Sequence, residues 1–428
     1  FTIDLSTETV ERSYPGVDLG IFGLFQYAFP INRNTVKLSG LEKGATYYYR
    51  VGNAEYGWWS NTGKVTTADG SNNLTFFHMC DPQSMNDRQY SERWVNILDS
   101  AFTNYPEAKF IVSTGDLVDQ GDNSKQWQGL FDTGSKYLMN SYLMPASGNH
   151  EGMGTNATAN FFVLPNLPEQ DTSTGVYYSY TYNNAHFAVL NTEFLNEDEA
   201  LDEAQIDWLK KDMEKSDAQW KFVVLHKAPY SQGSHYKDDD VCAIRDQLSV
   251  LMPQLGIDMV FQGHDHVYMR TASLINNEKE AVTTTYLEKD GEVYRTKVLP
   301  EGTTYVISGC AGVKTYLEND SSKTDKYFPR GEKILALETS MYSAVEIEDG
   351  VLYFNAYTID GDETIKVDSF AIQKDVTEGK VVDDPGDAEE EIEENEFIAF
   401  LKTLLSYLLK IAKVAINLIR IYIFNVEL

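Results

Sequence analysis

Five short polar motifs, which occur in one order along the chain, constrain this protein more than any other feature of its sequence. Each directly follows a short apolar run that predicts a buried β-strand. Polar side chains at the carboxyl ends of parallel strands meet at one edge of an open α/β sheet, so we expect the motifs to converge. The motifs and the runs before them are CDPQ after LTFFHM, GDLVD after KFIVST, GNHE after YLMPAS, HKAP after KFVVL, and GHDH after DMVFQ.

The motifs supply carboxylate, amide and imidazole groups, the mixture of oxygen and nitrogen donors that holds two transition-metal ions side by side. One such motif alone arises often by chance, whereas five in order, each at a strand end, do not. The sequence therefore predicts a two-metal site. Its candidate ligands are Asp81, Asp116, Asn149, His226, His264 and His266.

These residues and their order resemble the calcineurin-like metallophosphoesterases, and within them the purple acid phosphatase branch, over roughly residues 30 to 373. The resemblance implies an α/β (α+β) fold of four layers, in which helices flank two packed mixed β-sheets. It also implies that Asp116 bridges both metals, and that His150 stays off them as a catalytic residue near the phosphate. The remaining ligands implied are Asp81 and His266 on the first metal, and Asn149, His226 and His264 on the second.

Two cations about 3.5–4 Å apart clamp a phosphoryl group and lower the pKa of a bridging water. The phosphoryl transition state spreads negative charge over its oxygens, so positioning and positive charge do most of the catalysis. We therefore predict a metallophosphoesterase in which a metal-bridging hydroxide attacks the phosphorus of a phosphate ester in line. Its cofactors would be two metal ions drawn from Fe, Zn or Mn.

The first metal lacks both of the fourth protein ligands that the resemblance leads one to expect. Purple acid phosphatases carry a tyrosine three residues after the GD aspartate, and this chain has Asp119 there. Other metallophosphoesterases carry a histidine two residues after the first aspartate, and this chain has Gln83 there. Three alternatives for this fourth ligand are Asp119, Gln83 and a water. In a further interpretation Asp119 only caps the following loop and binds no metal. Without the tyrosine we predict a colourless protein.

The loop after His226 offers further candidates. The family carries substrate-facing histidines nine and ten residues beyond this ligand, where the chain has His235 and Tyr236. The resemblance implies a catalytic role for His235 and substrate binding for Tyr236. His78 and His186 fall inside predicted strands and are expected to be structural. Asp265, between the two histidines of GHDH, is expected to point away from the metals.

Length and composition predict more than one domain, because 428 residues exceed what one hydrophobic core usually supports. Residues 1–70 resemble a fibronectin type III domain, a small β-sandwich that is short for its type and possesses no histidine. Residues 71–375 form the catalytic domain, with amphipathic helices predicted over 87–104 and 198–216. Residues 376–395 form an acidic linker.

The apolar C-terminal segment, residues 396–428, predicts an amphipathic helix with a narrow cationic stripe. Three interpretations remain open: a helix lying flat on an anionic membrane surface, self-association as a bundle, or docking in a groove of its own enzyme. The formal net charge of −30 argues against a nucleic-acid backbone as a partner.

The chain begins at Phe1 and shows three acceptor patterns for N-glycosylation, at Asn73, Asn156 and Asn319. The start at Phe1 indicates a processed mature form or a fragment. The glycosylation patterns arise often by chance, so it is the family resemblance that implies a protein secreted or on the cell surface. Three widely spaced cysteines form no zinc motif. Functions still open are a monoesterase, a phosphodiesterase, a nucleotidase or a pyrophosphatase, or a non-catalytic surface or binding protein that keeps the fold.

Overall fold

The computed structural model describes residues 12–14, 29–31, 38–153, 167, 177–315, 330–361 and 363–385. The chain divides into two compact units, Phe1–Val381 and Val382–Leu428. The predicted C-terminal helix over residues 396–428 and the second half of the predicted acidic linker lie outside the described residues, as do Asn156 and Asn319. Of the helices in the described part, none combines the length and apolarity needed to cross a lipid bilayer.

The described strands before residue 70 are short and pair only with one another. They are β1 Arg12–Tyr14, β2 Phe29–Ile31, β3 Thr46–Tyr49, β4 Gly52–Asn53, β5 Trp58–Trp59 and β6 Gly63–Thr66. Their pairs are β1 with β2, β3 with β6 and β4 with β5, all antiparallel. Tyr49 donates its hydroxyl to the carbonyl oxygen of Met139 at 3.0 Å, which ties this region to the rest of the first unit.

Two large sheets follow, and their strands occur in mixed order along the chain. The strands to residue 262 are β7 Leu74–Met79, β8 Phe110–Ser113, β9 Tyr142–Pro145, β10 Tyr178–Tyr182, β11 Ala185–Val189, β12 Trp220–Val224 and β13 Met259–Gln262. Those to residue 298 are β14 Tyr268–Thr271, β17 Thr283–Lys289 and β18 Glu292–Val298, together with β15 Leu274–Ile275 and β16 Glu278–Lys279, which form a separate two-stranded sheet. The last are β19 Thr304–Ser308, β20 Gly331–Leu335, β21 Met341–Glu348, β22 Val351–Asp360, β23 Glu363–Gln373 and β24 Lys380–Val382.

One sheet has nine strands in the order β24-β17-β18-β23-β22-β21-β7-β8-β9, and the other has seven in the order β10-β11-β12-β13-β19-β14-β20. Strands β7, β8 and β9 are parallel neighbours, and so are β11, β12, β13 and β19. Most of the other pairs are antiparallel, so both sheets are mixed. The five predicted motif strands are confirmed as β7, β8, β9, β12 and β13.

Helices cover the sheets, and two of the helical regions were predicted from the sequence. They are α1 Asp87–Gln89, continued by a π-helical turn Tyr90–Trp94, then α2 Val95–Asn104, α3 Ser124–Leu138, α4 Glu203–Lys215 and α5 Asp239–Gln254. The helix predicted over 87–104 is confirmed. The helix predicted from residue 198 instead begins at Glu203, because the Asp202 side chain caps it by accepting the backbone N–H of Ala204 at 2.8 Å.

The core consists of layers because neighbouring residues of a strand point to opposite faces. Phe76 of β7 packs between the two sheets, where its ring lies 5.2 Å from that of Phe187 and 5.8 Å from that of Phe222. The next residue, Phe77, packs instead against the cluster that includes Trp94 and Leu98 on the helical side. A third cluster joins α4 and α5 to the outer face of the seven-stranded sheet. This arrangement confirms the predicted four layers.

Candidate metal centre

The candidate ligands lie where the parallel strands of both sheets end. Asp81, Asp116 and Asn149 follow β7, β8 and β9 of the nine-stranded sheet. His226 follows β12, and His264 follows β13, in the seven-stranded sheet. Because the two sheets pack face to face, these loops converge at one rim of the sandwich. The fold therefore brings the five motifs together, as the sequence predicted.

Four of these loop residues have a left-handed backbone. Their φ angles are 50° at Asp81, 50° at Asp116, 73° at His264 and 52° at His266. Such conformations cost roughly 1–3 kcal/mol each for residues other than glycine and cluster at functional sites. Asp and His tolerate them better than most residue types do. The turns direct these side chains back over the strand ends, toward one another.

The side chains form two groups with metal-ligand spacing, and both groups share one carboxylate. Asp81, Asp116 and His266 form the first group, and Asp116, His226 and His264 form the second, with ligand atoms within 4.8 Å of one another in each. In the first group, His266 Nε2 lies 3.5 Å from Asp81 Oδ1. Asp116 is the shared member, as the bridging role implied by the resemblance requires.

Distances within the second group fit one cation between its nitrogens. His226 Nε2 lies 3.1 Å from His264 Nδ1 and 3.5 Å from Asp116 Oδ1. Asn149 Oδ1 lies 2.9 Å from the same His226 nitrogen and so joins the group. Two nitrogens about 3 Å apart can share an ion whose bonds are about 2.0–2.1 Å long. The donor set suits transition metals.

Hydrogen bonds from outside the groups orient two of the imidazoles. His226 Nδ1 donates to the carbonyl oxygen of Thr114 at 2.8 Å, and His266 Nδ1 donates to that of Lys314. Because a carbonyl oxygen can only accept, Nδ1 carries a proton in both rings and Nε2 faces the site. Such partners fix the ring orientation of metal-binding histidines and raise their basicity.

Burial and neighbouring charges change the proton affinities of the histidines in different directions. Burial lowers the pKa of His264 well below its usual value, and the nearby His226 adds to this. Burial also opposes the charged form of His226, but the Asp116 and Asp81 carboxylates outweigh it and the pKa is raised. The neutral form of an imidazole is the one that binds a metal.

Glu151, the last residue of GNHE, holds two ligand loops together. Its buried carboxylate accepts the backbone N–H groups of Asp116 at 2.8 Å, Leu117 at 2.7 Å, Val118 at 3.2 Å and Gly148 at 2.8 Å. Burial and the neighbouring Asp116 raise the pKa of Glu151 to about 8. No role was predicted for Glu151 from the sequence. Its place in the GNHE motif was the available signal.

Gly148 allows the same two loops to touch. A Cβ at this position would lie 2.2 Å from Asp116 Oδ1 and 2.5 Å from the backbone nitrogen of Asp116. No side chain fits at that distance, so the glycine of GNHE is required for the close approach. The motif therefore includes a steric requirement beside its metal ligand.

His150 lies beside the metal groups and outside both of them. Its Nδ1 donates to the carbonyl oxygen of Asp119 at 2.7 Å, and its Nε2 lies 3.9 Å from Asp116 Oδ2. Its backbone N–H donates to Asp116 Oδ1 at 2.9 Å. The ring is thus turned so that Nε2 faces the shared carboxylate, near the predicted substrate position.

His235 is close to the second group, whereas Tyr236 packs away from it. The His235 ring lies 4.2 Å from that of His264, and its Nδ1 lies 2.7 Å from Asp238 Oδ2. The Tyr236 ring lies 4.2 Å under the Arg245 guanidinium and contacts the cluster beneath α5. Substrate binding by Tyr236 stays a prediction.

Asp265 supports the loop that carries His235. Its Oδ1 accepts the backbone N–H of His235 at 3.0 Å, and a Cβ on Gly233 would lie 2.1 Å from that oxygen. The carboxylate therefore packs against this loop, and Asp265 is absent from both metal groups found among the described residues. This agrees with its expected direction, away from the metals.

Gln83 and Asp119, the alternatives for a further ligand, have different surroundings. Gln83 Nε2 donates to Asp116 Oδ2 at 3.3 Å, while its Oε1 is buried and has no hydrogen-bond partner. The Asp119 carboxylate instead forms an ion pair with Lys314. Lys314 is a charged neighbour that the sequence analysis did not identify, because it lies far along the chain, beyond β19.

The other two histidines have hydrogen-bond partners away from the metal groups. His78 Nδ1 lies 2.7 Å from Ser308 Oγ, and burial lowers the pKa of His78 to about 3. His186 bonds Thr181 and Asp212, each at 2.7 Å. These two histidines have the structural surroundings that were expected of them.

The three cysteines are all unpaired thiols.

Comparison with known proteins agrees with this geometry. The calcineurin-like phosphoesterase family model matches residues 74–268. Purple acid phosphatases 15 and 23 of Arabidopsis thaliana are each 29% identical to the chain, over 155 and 143 residues. These alignments cover 34% and 31% of this chain but only 28% and 30% of the relatives, so the chain spans less than a third of their length.

A solved structure shows the fold independently. Purple acid phosphatase PPD1 from yellow lupin (Lupinus luteus) seeds superposes with a TM-score of 0.63 at 17% identity, over 79% of this chain and 62% of that one. Its similarity extends beyond the residues that the family model matches. The chain is thus similar to the calcineurin-like phosphoesterases over residues 74–268, and it shares its fold with a purple acid phosphatase.

Proposed function

We propose that this protein is a binuclear metal-dependent hydrolase of phosphoric esters. The observation that carries the proposal is the sharing of one carboxylate, Asp116, by two groups of metal-ligand spacing. When bound there, two metal ions supply positive charge for the phosphoryl oxygens and activate a water as the nucleophile. The chain's own contribution is to hold this constellation at the rim of a rigid sandwich.

His150 and His235, which lie beside the metal groups, are the proposed catalytic side chains. Since His150 Nδ1 is occupied by the Asp119 carbonyl oxygen, its Nε2 is the atom available to hold or deliver a proton at the leaving oxygen. The His235 ring, 36% exposed and beside His264, is placed to hydrogen-bond a phosphate oxygen. Tyr236 is a weaker candidate for substrate contact because its ring lies under Arg245.

We propose Gln83, before Asp119, as the further ligand of the first group. The buried Gln83 Oε1 has no hydrogen-bond partner, and an unsatisfied buried acceptor costs roughly 1–3 kcal/mol. A cation in the first group would satisfy it. Asp119, by contrast, already pairs with Lys314. The first group then consists of oxygen donors and one imidazole, which leaves Fe, Zn and Mn as candidates.

The first experiment combines elemental analysis with hydrolysis of a chromogenic phosphate monoester and a diester. Wild type should bind two metals per chain and turn over at least one ester. Asp116→Asn should lose metal and activity together, whereas Asp99→Asn, in an exposed ion pair with Lys136, should keep both. At most one metal, with no turnover after addition of Mn²⁺, Zn²⁺ or Fe²⁺, would instead favour a binding protein.

Further proposals concern the ends of the chain and its location. We infer that residues 1–70 form a fibronectin type III-like domain, that residues 376–395 form an acidic linker, and that the protein is secreted or on the cell surface. The cationic, apolar segment 396–428 suits a membrane surface. Truncation before Glu396 should abolish binding to anionic liposomes and spare hydrolysis. Retained binding would contradict the membrane role, and a changed oligomeric state would favour self-association.

A further inference from the structure

The segment that follows β19 packs against the loop that carries Asp81 of the first metal group. The backbone N–H of Ala311 donates to the carbonyl oxygen of Cys80 at 2.7 Å, beside Asp81. A Cβ on Gly312 would lie 2.8 Å from the Asp81 carbonyl oxygen, so this approach requires a glycine. Two residues later, the Lys314 carbonyl oxygen accepts the Nδ1–H of His266. Residue 314 is therefore fixed beside the first group by its backbone.

The Lys314 side chain extends from this fixed backbone toward His150. Its ammonium pairs with Asp119 Oδ1, and that oxygen lies 3.7 Å from His150 Nδ1. The Asp119 carbonyl oxygen accepts the same His150 nitrogen at 2.7 Å. The ammonium therefore lies on the side of the site where His150 meets the substrate. Its side chain is 30% exposed, so it remains within reach of a bound ligand.

Lys314 is neutralised by fewer neighbouring carboxylates than Lys227 is. Lys227, next to His226, is only 12% exposed and is held by Glu193 at 3.3 Å and Asp240 at 2.8 Å. Lys314 has Asp119 as its ion-pair partner, and an ammonium offers three donors. The chain has a net charge of −30, so a phosphate must meet local positive charge to bind.

We propose that Lys314 contacts the phosphate of the substrate and makes the site prefer phosphate monoesters to diesters. The proposal rests on the function proposed above and specifies its substrate class. A monoester carries about −1.5 to −2 charges at neutral pH, whereas a diester carries one. An additional cation beside the metals attracts the more highly charged monoester more strongly. Asp119 acts as the counter-ion that holds the ammonium in place before substrate binds.

The substitution Lys314→Met tests the ammonium alone, because it keeps the backbone carbonyl that orients His266. We expect kcat/KM for p-nitrophenyl phosphate to fall about tenfold to a hundredfold, the usual effect of losing a charged hydrogen bond. The value for bis(p-nitrophenyl) phosphate should change less than about threefold. Metal content should stay at the wild-type value, and Lys314→Arg should recover part of the loss.

Lys366→Met is the matched control. Lys366 of β23 is 26% exposed and pairs with Glu292 of β18. It resembles Lys314 in exposure and in having a close acidic partner, but strands β22 and β21 separate β23 from β7, the nearest strand that leads to a metal group. Its substitution should leave both kcat/KM values unchanged. A loss in this variant would indicate a general effect of removing a lysine.

Binding of inorganic phosphate to the metal-loaded protein keeps the test independent of turnover. Lys314→Met should raise its Kd about tenfold or more relative to wild type. Equal losses for monoester and diester, an unchanged phosphate Kd, or loss of metal from the variant would each overturn the proposal. If wild type hydrolyses neither ester, the proposed function fails, and the phosphate Kd alone then decides whether Lys314 recognises phosphate.

Discussion

The carboxylate of Glu151 accepts the backbone N–H of Asp116 at 2.8 Å, so a buried acid holds in place the residue that both metal groups share. The same carboxylate also accepts Gly148 N–H, in the loop that carries Asn149 and His150. One side chain thus determines the spacing between the ends of β8 and β9. The metal groups depend on this contact although Glu151 belongs to neither of them.

Replacing Glu151 by Gln should destabilise the protein and weaken metal binding. Gln has one acceptor oxygen fewer and turns N–H donors toward backbone N–H groups, which leaves buried donors unpaired. We expect the free energy of unfolding to fall by about 2–4 kcal/mol. Urea unfolding of the metal-free protein at about pH 9, above the pKa of about 8 where Glu151 is a carboxylate, measures it. Glu92→Gln, at a 54% exposed residue on the π-helical turn, is the control. Equal stability of the two variants would contradict the role of Glu151.

Replacing Gln83 by Leu should weaken the binding of one of the two metals. The change removes the buried Oε1 that has no hydrogen-bond partner and the amide that donates to Asp116 at 3.3 Å. We expect the affinity for one metal to fall about tenfold to a hundredfold while the other stays bound. Titration with Mn²⁺ or Zn²⁺ measures both steps. Gln83→Glu keeps an oxygen donor and should retain both metals; an unchanged Gln83→Leu titration would exclude Gln83 as a ligand.

The protein loaded with ferric iron should be colourless. Asp119, which stands where the purple acid phosphatases carry their iron-binding tyrosine, is paired with Lys314. No phenolate then reaches the first group from this position, so no tyrosinate-to-iron band is expected in the visible spectrum. Asp119→Tyr is the gain-of-function test and should introduce such a band. A band in wild type would mean that another tyrosine coordinates the iron.

The sequence predicted which side chains converge, because the candidate ligands occupy fixed places after buried strands. Asp81, Asp116 and His226 could be identified from short motifs, since strand ends alone bring such residues together. Glu151 could have been inferred from the same GNHE motif, but its backbone partners depend on how two loops approach each other. That approach is determined by Gly148, whose steric role appears only once the loops are packed.

Lys314 could not have been predicted from the sequence. It lies 195 residues after Asp119, its ion-pair partner, and no motif surrounds it. The predicted start of α4, at residue 198, was wrong. It was predicted because Leu201 and Trp208 follow the apolar spacing of a helix. In the structure Leu201 instead bridges Leu195 before Asp202 caps the helix. Local capping overrode the periodicity at that point.

A buried lysine, Lys297, lies between the two large sheets. Lys297 of β18 is 4% exposed, and its ammonium lies 3.2 Å from Glu332 Oε2. Burial lowers the pKa of Lys297 to about 8, and the attraction of Glu332 offsets only part of this. Between about pH 8 and 10.4, the unfolded chain therefore binds a proton here that the folded protein does not.

Because the unfolded state binds more protons in this window, the contribution of Lys297 to stability rises as pH increases through it. We expect the difference in unfolding free energy between wild type and Lys297→Met to shift in favour of wild type by on the order of 2 kcal/mol from pH 7.5 to pH 10. Urea unfolding at both pH values measures it. Comparing with Lys366→Met controls for the loss of a partly exposed lysine. A difference independent of pH would show that Lys297 keeps its usual proton affinity in the folded protein.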